Sequence, residues 1–158
     1  MKKFIINFFL ILGMLLTLSC GFKVLNKSQM NDFIIKEVKS SGDKRINFKI
    51  KNNLLINDSD DSNNSLIINL NTKKIKNIKE KNIKNEITKY QITLEANVQL
   101  HLLKTGKKTQ IKLTSSGDYL VAKNYSTTIN NEKKLIENLV ENLSEKISDE
   151  INSNFNDI

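Results

Sequence analysis

The sequence predicts an α+β domain carried behind an export leader. Three observations support this. Residues 90–102 alternate apolar and polar side chains without a break. Leu135, Ile136, Leu139, Val140, Leu143, Ile147 and Ile151 form an apolar stripe at helical spacing. An apolar run near the start ends on Cys20, the only cysteine in 158 residues.

The leader has three parts. Met1-Lys2-Lys3 is positively charged, Phe4 to Leu18 is almost wholly apolar, and Ser19 is a small residue before Cys20. That order is a secretory signal, and the run is too short for a membrane span of about 20 apolar residues. A single cysteine at the end of a signal core is where bacterial lipoproteins carry their acyl chains. Each buried methylene contributes about 0.8 kcal/mol, so several chains hold a protein on a membrane. Thr17-Leu18-Ser19-Cys20 sets the leucine one place from its usual position. Gly21 follows, with no Asp there, which points to the outer membrane and attachment on its periplasmic side. The expected division is residues 1–19 as signal peptide, 20–30 as lipid-anchored tether and 31–158 as one domain.

Lys and Arg number 25 against 17 Asp and Glu, a formal charge of +8. Losing Lys2 and Lys3 with the leader leaves +6. Lys, Asn and Ile crowd the chain, and Pro and Trp are absent, a bias that AT-rich coding produces. Export argues against nucleic acid as a partner. Anionic lipid or glycolipid head groups fit better.

Phe33 to Val38 is rich in β-branched residues and reads as a first strand. Ser40-Ser41-Gly42-Asp43 has turn chemistry. Lys44 to Ile56 has two readings. Ile46, Phe48 and Ile50 alternate as in a strand, while Ile46, Ile50 and Leu54 recur as in a helix that Asp43 could cap. Asn57 to Asn64 is a polar loop without the central Gly and distal Glu of a calcium-binding EF-hand. Leu66 to Leu70 is a second strand, and Lys73 to Lys89 either extends it or forms an exposed loop.

The strand at 90–102 has one buried and one wet face. Lys104-Thr105-Gly106-Lys107 turns it back, and a return strand begins near Thr109 with Ile111 and Leu113 on one face. Ser116-Gly117-Asp118 reads as a bend or bulge, after which Tyr119 to Tyr125 is extended. Asn130 or Asn131 can cap the final helix, Glu132 suits its first turn, and it runs to about Ser153.

Catalytic chemistry is sparse. His101 is the only histidine and falls on the wet face of its strand. It has no second histidine or cysteine for a metal site, and the five glycines form no phosphate loop. An enzyme and a cofactor are therefore not expected. Lys73, Lys74, Lys76, Lys79, Lys81, Lys84 and Lys89 cluster before the long strand, and Lys107 and Lys108 lie at its hairpin. Lys73, Lys74, Lys76, Lys79, Lys107 and Lys108 are the candidates for contact with glycolipid phosphates. The plainer reading is a solvated edge whose charge discourages strand pairing with other molecules.

Cys20-Gly21-Phe22-Lys23-Val24-Leu25, the Gly42-Asp43-Lys44-Arg45-Ile46 junction, Tyr90-Gln91-Ile92-Thr93-Leu94 and Asn124-Tyr125-Ser126 follow one another in a set order. Together they resemble the LPS-assembly lipoprotein LptE family, especially its alphaproteobacterial forms. The resemblance spans nearly the whole mature chain, by architecture more than by diagnostic residues. It implies that residues 44–56 are helical. It also implies a four-stranded, mostly antiparallel sheet with two helices on one face. It implies no catalytic residues. The implied partner is an LptD-like outer-membrane β-barrel, which such proteins plug and help assemble, with lipopolysaccharide as a further contact. The alternative is a stand-alone periplasmic lipoprotein that binds anionic lipid or glycolipid.

Overall fold

The computed structural model describes residues 34–54 and 65–155. The leader, Cys20, the tether and the polar loop at 57–64 lie outside the described residues. Six elements follow in order: β1 (Ile34–Gly42), α1 (Lys44–Asn53), β2 (Ser65–Lys81), β3 (Ile87–Leu102), β4 (Lys108–Leu120) and α2 (Tyr125–Phe155). The strands form one sheet in the order β1-β2-β3-β4. β1 runs parallel to β2, and the other two pairings are antiparallel. This is the expected α+β sheet with both helices on one face.

The residues between β1 and α1 explain why the chain turns there. The Ser40-Ser41-Gly42 stretch, expected as a turn, continues β1 to Gly42, whose partner is Thr72. Gly42 has φ +87°, and a Cβ there would stand 2.1 Å from the Thr72 carbonyl oxygen. Only glycine fits that approach. Asp43 then caps α1: its Oδ1 accepts from the backbone N–H of Arg45 at 3.0 Å and of Ile46 at 3.1 Å. Of the two readings of 44–56, the helical one holds over Lys44–Asn53. Ile46, Ile50 and Leu54 are buried at four-residue spacing, while Phe48 is 66% exposed. Asn47 ties the helix to both strands. Its Nδ2 donates to the Ser41 carbonyl at 2.7 Å, and its Oδ1 accepts from Thr72 Oγ1 at 2.8 Å.

β2 is much longer than the Leu66–Leu70 segment its apolar side chains marked. It runs on through the lysines to Lys81, paired with β3. The 90–102 alternation holds throughout: Ile92, Leu94, Ala96, Val98, Leu100 and Leu102 are all buried. Two further expectations are corrected. Ser116-Gly117-Asp118 neither bends nor bulges, since β4 keeps continuous register with β3. Gly117 is small because α2 crosses over it, where a Cβ would lie 2.7 Å from Leu135 Cδ1. The stretch Tyr119 to Tyr125 is extended only to Leu120. The helix begins at Tyr125 rather than near Asn130, with Asn124 Oδ1 accepting from the Ser126 N–H at 2.8 Å.

The core lies between sheet and helices. α2 contributes Leu139, Val140, Leu143, Ile147 and Ile151, all buried. It packs on β3, β4 and α1, while α1 covers β1 and β2. Among the described residues, the opposite face of the sheet carries no helix.

Candidate functional site

Three regions have the chemistry to be functional. The first is the uncovered sheet face. Registered rows place Asn69 beside Gln99 and Gln110, and Asn71 beside Asn97. With Lys39 and Ser41 of β1 they line an open trough of about 480 Å³. Its side chains are mainly carboxamides, which donate and accept hydrogen bonds at once. Among the described residues, no carboxylate, histidine or cysteine lines it. His101 stands on the same face, across from Lys108, as parity required.

The second region is a charged knot on the helix side, at the far end of β2. Lys76 Nζ donates to Glu132 Oε2 at 2.7 Å, and Tyr119 Oη donates to the same oxygen at 2.8 Å. The ammonium lies 4.4 Å from the Tyr90 ring centre and 5.3 Å from that of Tyr119. The two rings stack at 5.6 Å. Burial works to raise the Glu132 pKa, but hydrogen bonds from Lys76 and Tyr119 outweigh it and hold the carboxyl below its usual range. Burial works to lower the Lys76 pKa, and Glu132 and Tyr119 reverse it, so that pKa is raised. Burial chiefly raises the Tyr119 phenol. An ion pair satisfied this way fastens α2 to the sheet.

The third region is the β2–β3 hairpin. β1 stops flanking β2 at Thr72, and β4 stops flanking β3 at Lys89. The hairpin end therefore projects as a two-stranded arm. Residues 73–89 hold seven lysines and two glutamates, a local excess of five positive charges.

The six lysines singled out in the sequence do not form one cluster. Lys107 and Lys108 lie at the opposite end of the sheet from Lys79. At about 3.4 Å per residue the separation is roughly 40 Å, and from Lys73 roughly 20 Å. Lys73 and Lys74 point to opposite faces of β2. Lys76 is held by Glu132, Lys79 pairs with Asp118, and Lys107 Nζ donates to the Asn154 carbonyl at 2.9 Å. Cys20 lies outside the described residues. Among the described residues, no group of three His, Cys, Asp or Glu side chains could hold a metal ion. No helix among them is long and apolar enough to cross a membrane.

Sequence reasoning missed the Lys76–Glu132–Tyr119 knot and the turn at the arm's end. The knot joins residues 56 positions apart, which no local pattern reveals. The turn did leave a signal, since Asn82 and Asn85 are turn residues spaced to close it.

No protein-family model matches the chain, and no curated protein matches it in sequence. Solved structures do match in fold. Rare lipoprotein B from Shewanella oneidensis superposes with a TM-score of 0.59 at 12% identity, covering 75% of this chain and 95% of that one. Lipoprotein B from Nitrosomonas europaea gives 0.52 at 11% identity, covering 84% and 91%. A minor lipoprotein from Acinetobacter baumannii gives 0.51 at 17% identity, covering 75% and 94%. The chain has the fold of these small bacterial lipoproteins.

Proposed function

We propose that the chain is a non-catalytic envelope lipoprotein, tethered through Cys20, whose domain recognises anionic lipid or glycolipid head groups. The observation that carries this is the segregation of charge. More than half of the net +8 resides in residues 73–89, on an arm that no other strand among the described residues flanks at its end. The fold shared with other lipoproteins supports the envelope setting. The carboxamide trough supports polar ligands, because amides match hydroxyl and phosphate groups better than acyl chains. Near an anionic surface each lysine contributes about 1 kcal/mol. Lys73 and Lys74 face opposite ways, so one surface meets one of them, and replacing Lys73, Lys74 and Lys84 with glutamine should weaken binding to lipopolysaccharide or anionic vesicles about 30-fold. The binding should also fall with added salt. Unchanged binding would return the lysines to ordinary surface.

A second reading is favoured by the uncovered sheet face. A polar face that no helix among the described residues covers suits the polar lumen of a wide outer-membrane barrel. The domain would then act as the plug of an LptD-like barrel during lipopolysaccharide transport, as the family resemblance implies. Affinity capture from native membranes should recover a large β-barrel protein. A clean preparation without one would exclude this reading.

A further inference from the structure

The end of the arm combines three features that a merely solvated edge does not need. The first is a rigid turn. Asn85 N–H donates to the Asn82 carbonyl, and Asn82 N–H to the Glu86 carbonyl, both at 2.9 Å. Asn82 Oδ1 accepts from the N–H groups of Lys84 at 2.9 Å and Glu86 at 3.0 Å. Its Nδ2 donates to Glu86 Oε2 at 2.7 Å. Asn85 takes the left-handed conformation, φ +64°, that such a loop requires.

The second feature is what that turn presents. Ile83 stands at its corner and is fully exposed. Turn corners ordinarily carry polar residues, so an isoleucine held there by five hydrogen bonds has no folding role. It is not isolated. Among the described residues, seven large apolar side chains are exposed, and five fall at this end: Ile78, Ile83, Leu120, Tyr125 and Ile129. Leu120 is paired with Lys89, and the Asn131 side chain bonds the Leu120 carbonyl, which brings the start of α2 to the base of the arm.

The third feature is the charge around them. Lys84 follows Ile83 in the turn, and Lys81 faces it across the loop, bonded to Asn85 Oδ1 at 3.0 Å. A protruding apolar residue flanked by two lysines matches one environment in particular, the boundary between anionic head groups and acyl chains. The lysines meet phosphates while the apolar tip leaves water.

We infer that the 82–86 turn is a membrane-inserting tip, with Ile83 entering an anionic phospholipid bilayer and Lys81 and Lys84 held at its phosphates. This rests on the head-group reading above and adds to it a depth and a residue. The arm would give the domain a contact with the bilayer that does not depend on acylation.

The chain contains no tryptophan, so a single one can report insertion. The test uses residues 21–158 without acyl chains, which include every core residue from Ile35 to Ile151. Ile83→Trp is expected to shift its emission to the blue on vesicles of phosphatidylglycerol mixed with phosphatidylcholine. Phosphatidylcholine alone should give no shift. A second reporter, Phe48→Trp, sits on the exposed surface of α1 away from the arm and should stay in water. Ile83→Asp should weaken vesicle binding about tenfold, and Lys81→Gln with Lys84→Gln about 30-fold, each with unchanged circular dichroism. Two results together would overturn the tip while leaving head-group recognition standing. The Ile83→Trp variant would bind anionic vesicles with its emission as in buffer, and Ile83→Asp would bind as well as the parent. Equal binding to both vesicle types would overturn the role of the lysines. No binding to either would overturn both proposals.

Discussion

Replacing Gly42 with alanine should remove far more of the domain's stability than any other glycine exchange on the sheet's rim. Two costs add at this position. A side chain at φ +87° takes on left-handed strain of about 1–2 kcal/mol. The new Cβ would also stand 2.1 Å from the Thr72 carbonyl oxygen, where real Cβ contacts stay beyond 3.0 Å. β1 must therefore move about 1 Å from β2, which strains the Asp43 N–H to Thr72 carbonyl bond of 3.0 Å and the cap behind it. Losing that bond and weakening the Asp43 cap costs a further ~2 kcal/mol. The total is about 3–4 kcal/mol, a large part of an ordinary domain stability of about 5–15 kcal/mol. Gly106 supplies the control. It has φ +69° with nothing within 4 Å of an added Cβ, so Gly106→Ala carries only the backbone strain. Urea unfolding followed by circular dichroism separates the two. If Gly42→Ala costs no more than Gly106→Ala, the close approach between β1 and β2 is not what selects glycine.

Two further substitutions probe the core and the knot. Leu143 is fully buried under the sheet, so Leu143→Ala should cost about 2–5 kcal/mol, whereas Phe48→Ser on exposed α1 surface should stay within about 0.5 kcal/mol. Similar losses for both would mean the helix faces are misassigned. Glu132 has a depressed folded pKa, so its contribution is full above the unfolded value near 4.5 and is lost as pH falls through the folded value. Lys76 and Tyr119 have raised values, so theirs is full below 10.0 and lost as pH rises through the folded values. The stability gap between the parent and Glu132→Gln should be about 1 kcal/mol at neutral pH, given the partial exposure of Lys76, and should close in acid. A gap that persists at low pH would show that the carboxylate charge is not what fastens α2.

What the sequence disclosed follows burial. β3 and the second half of α2 each face a core, and their periodicity survives as alternation and as the Leu139–Ile151 stripe. β2 beyond Thr72 faces no such core. With β1 absent on one side and solvent around the tip, Lys73 to Lys81 has no apolar face to show, so the sequence left strand extension and loop both open, and the extension is what forms. The first turns of α2 are similar: Tyr125 and Ile129 are exposed. Gly117 misled for another reason. Its smallness answers Leu135 on a different element, a contact that local sequence does not record. The density of the lysine candidates was legible, but their distribution depends on the length of β2, and that length separates Lys79 from Lys108.

The parallel pairing of β1 also gives folding an order. β2, β3 and β4 are joined by short hairpins, so their pairing closes small loops. β1 must await a partner that lies beyond α1, at a higher loop-closure cost. The three-stranded meander therefore forms first, and β1 with its helix docks onto it late. The same logic applies in reverse to local opening, in which the outer strand is released while the meander persists. In a chain made from its N-terminus, the segment that emerges first is thus the one that settles last.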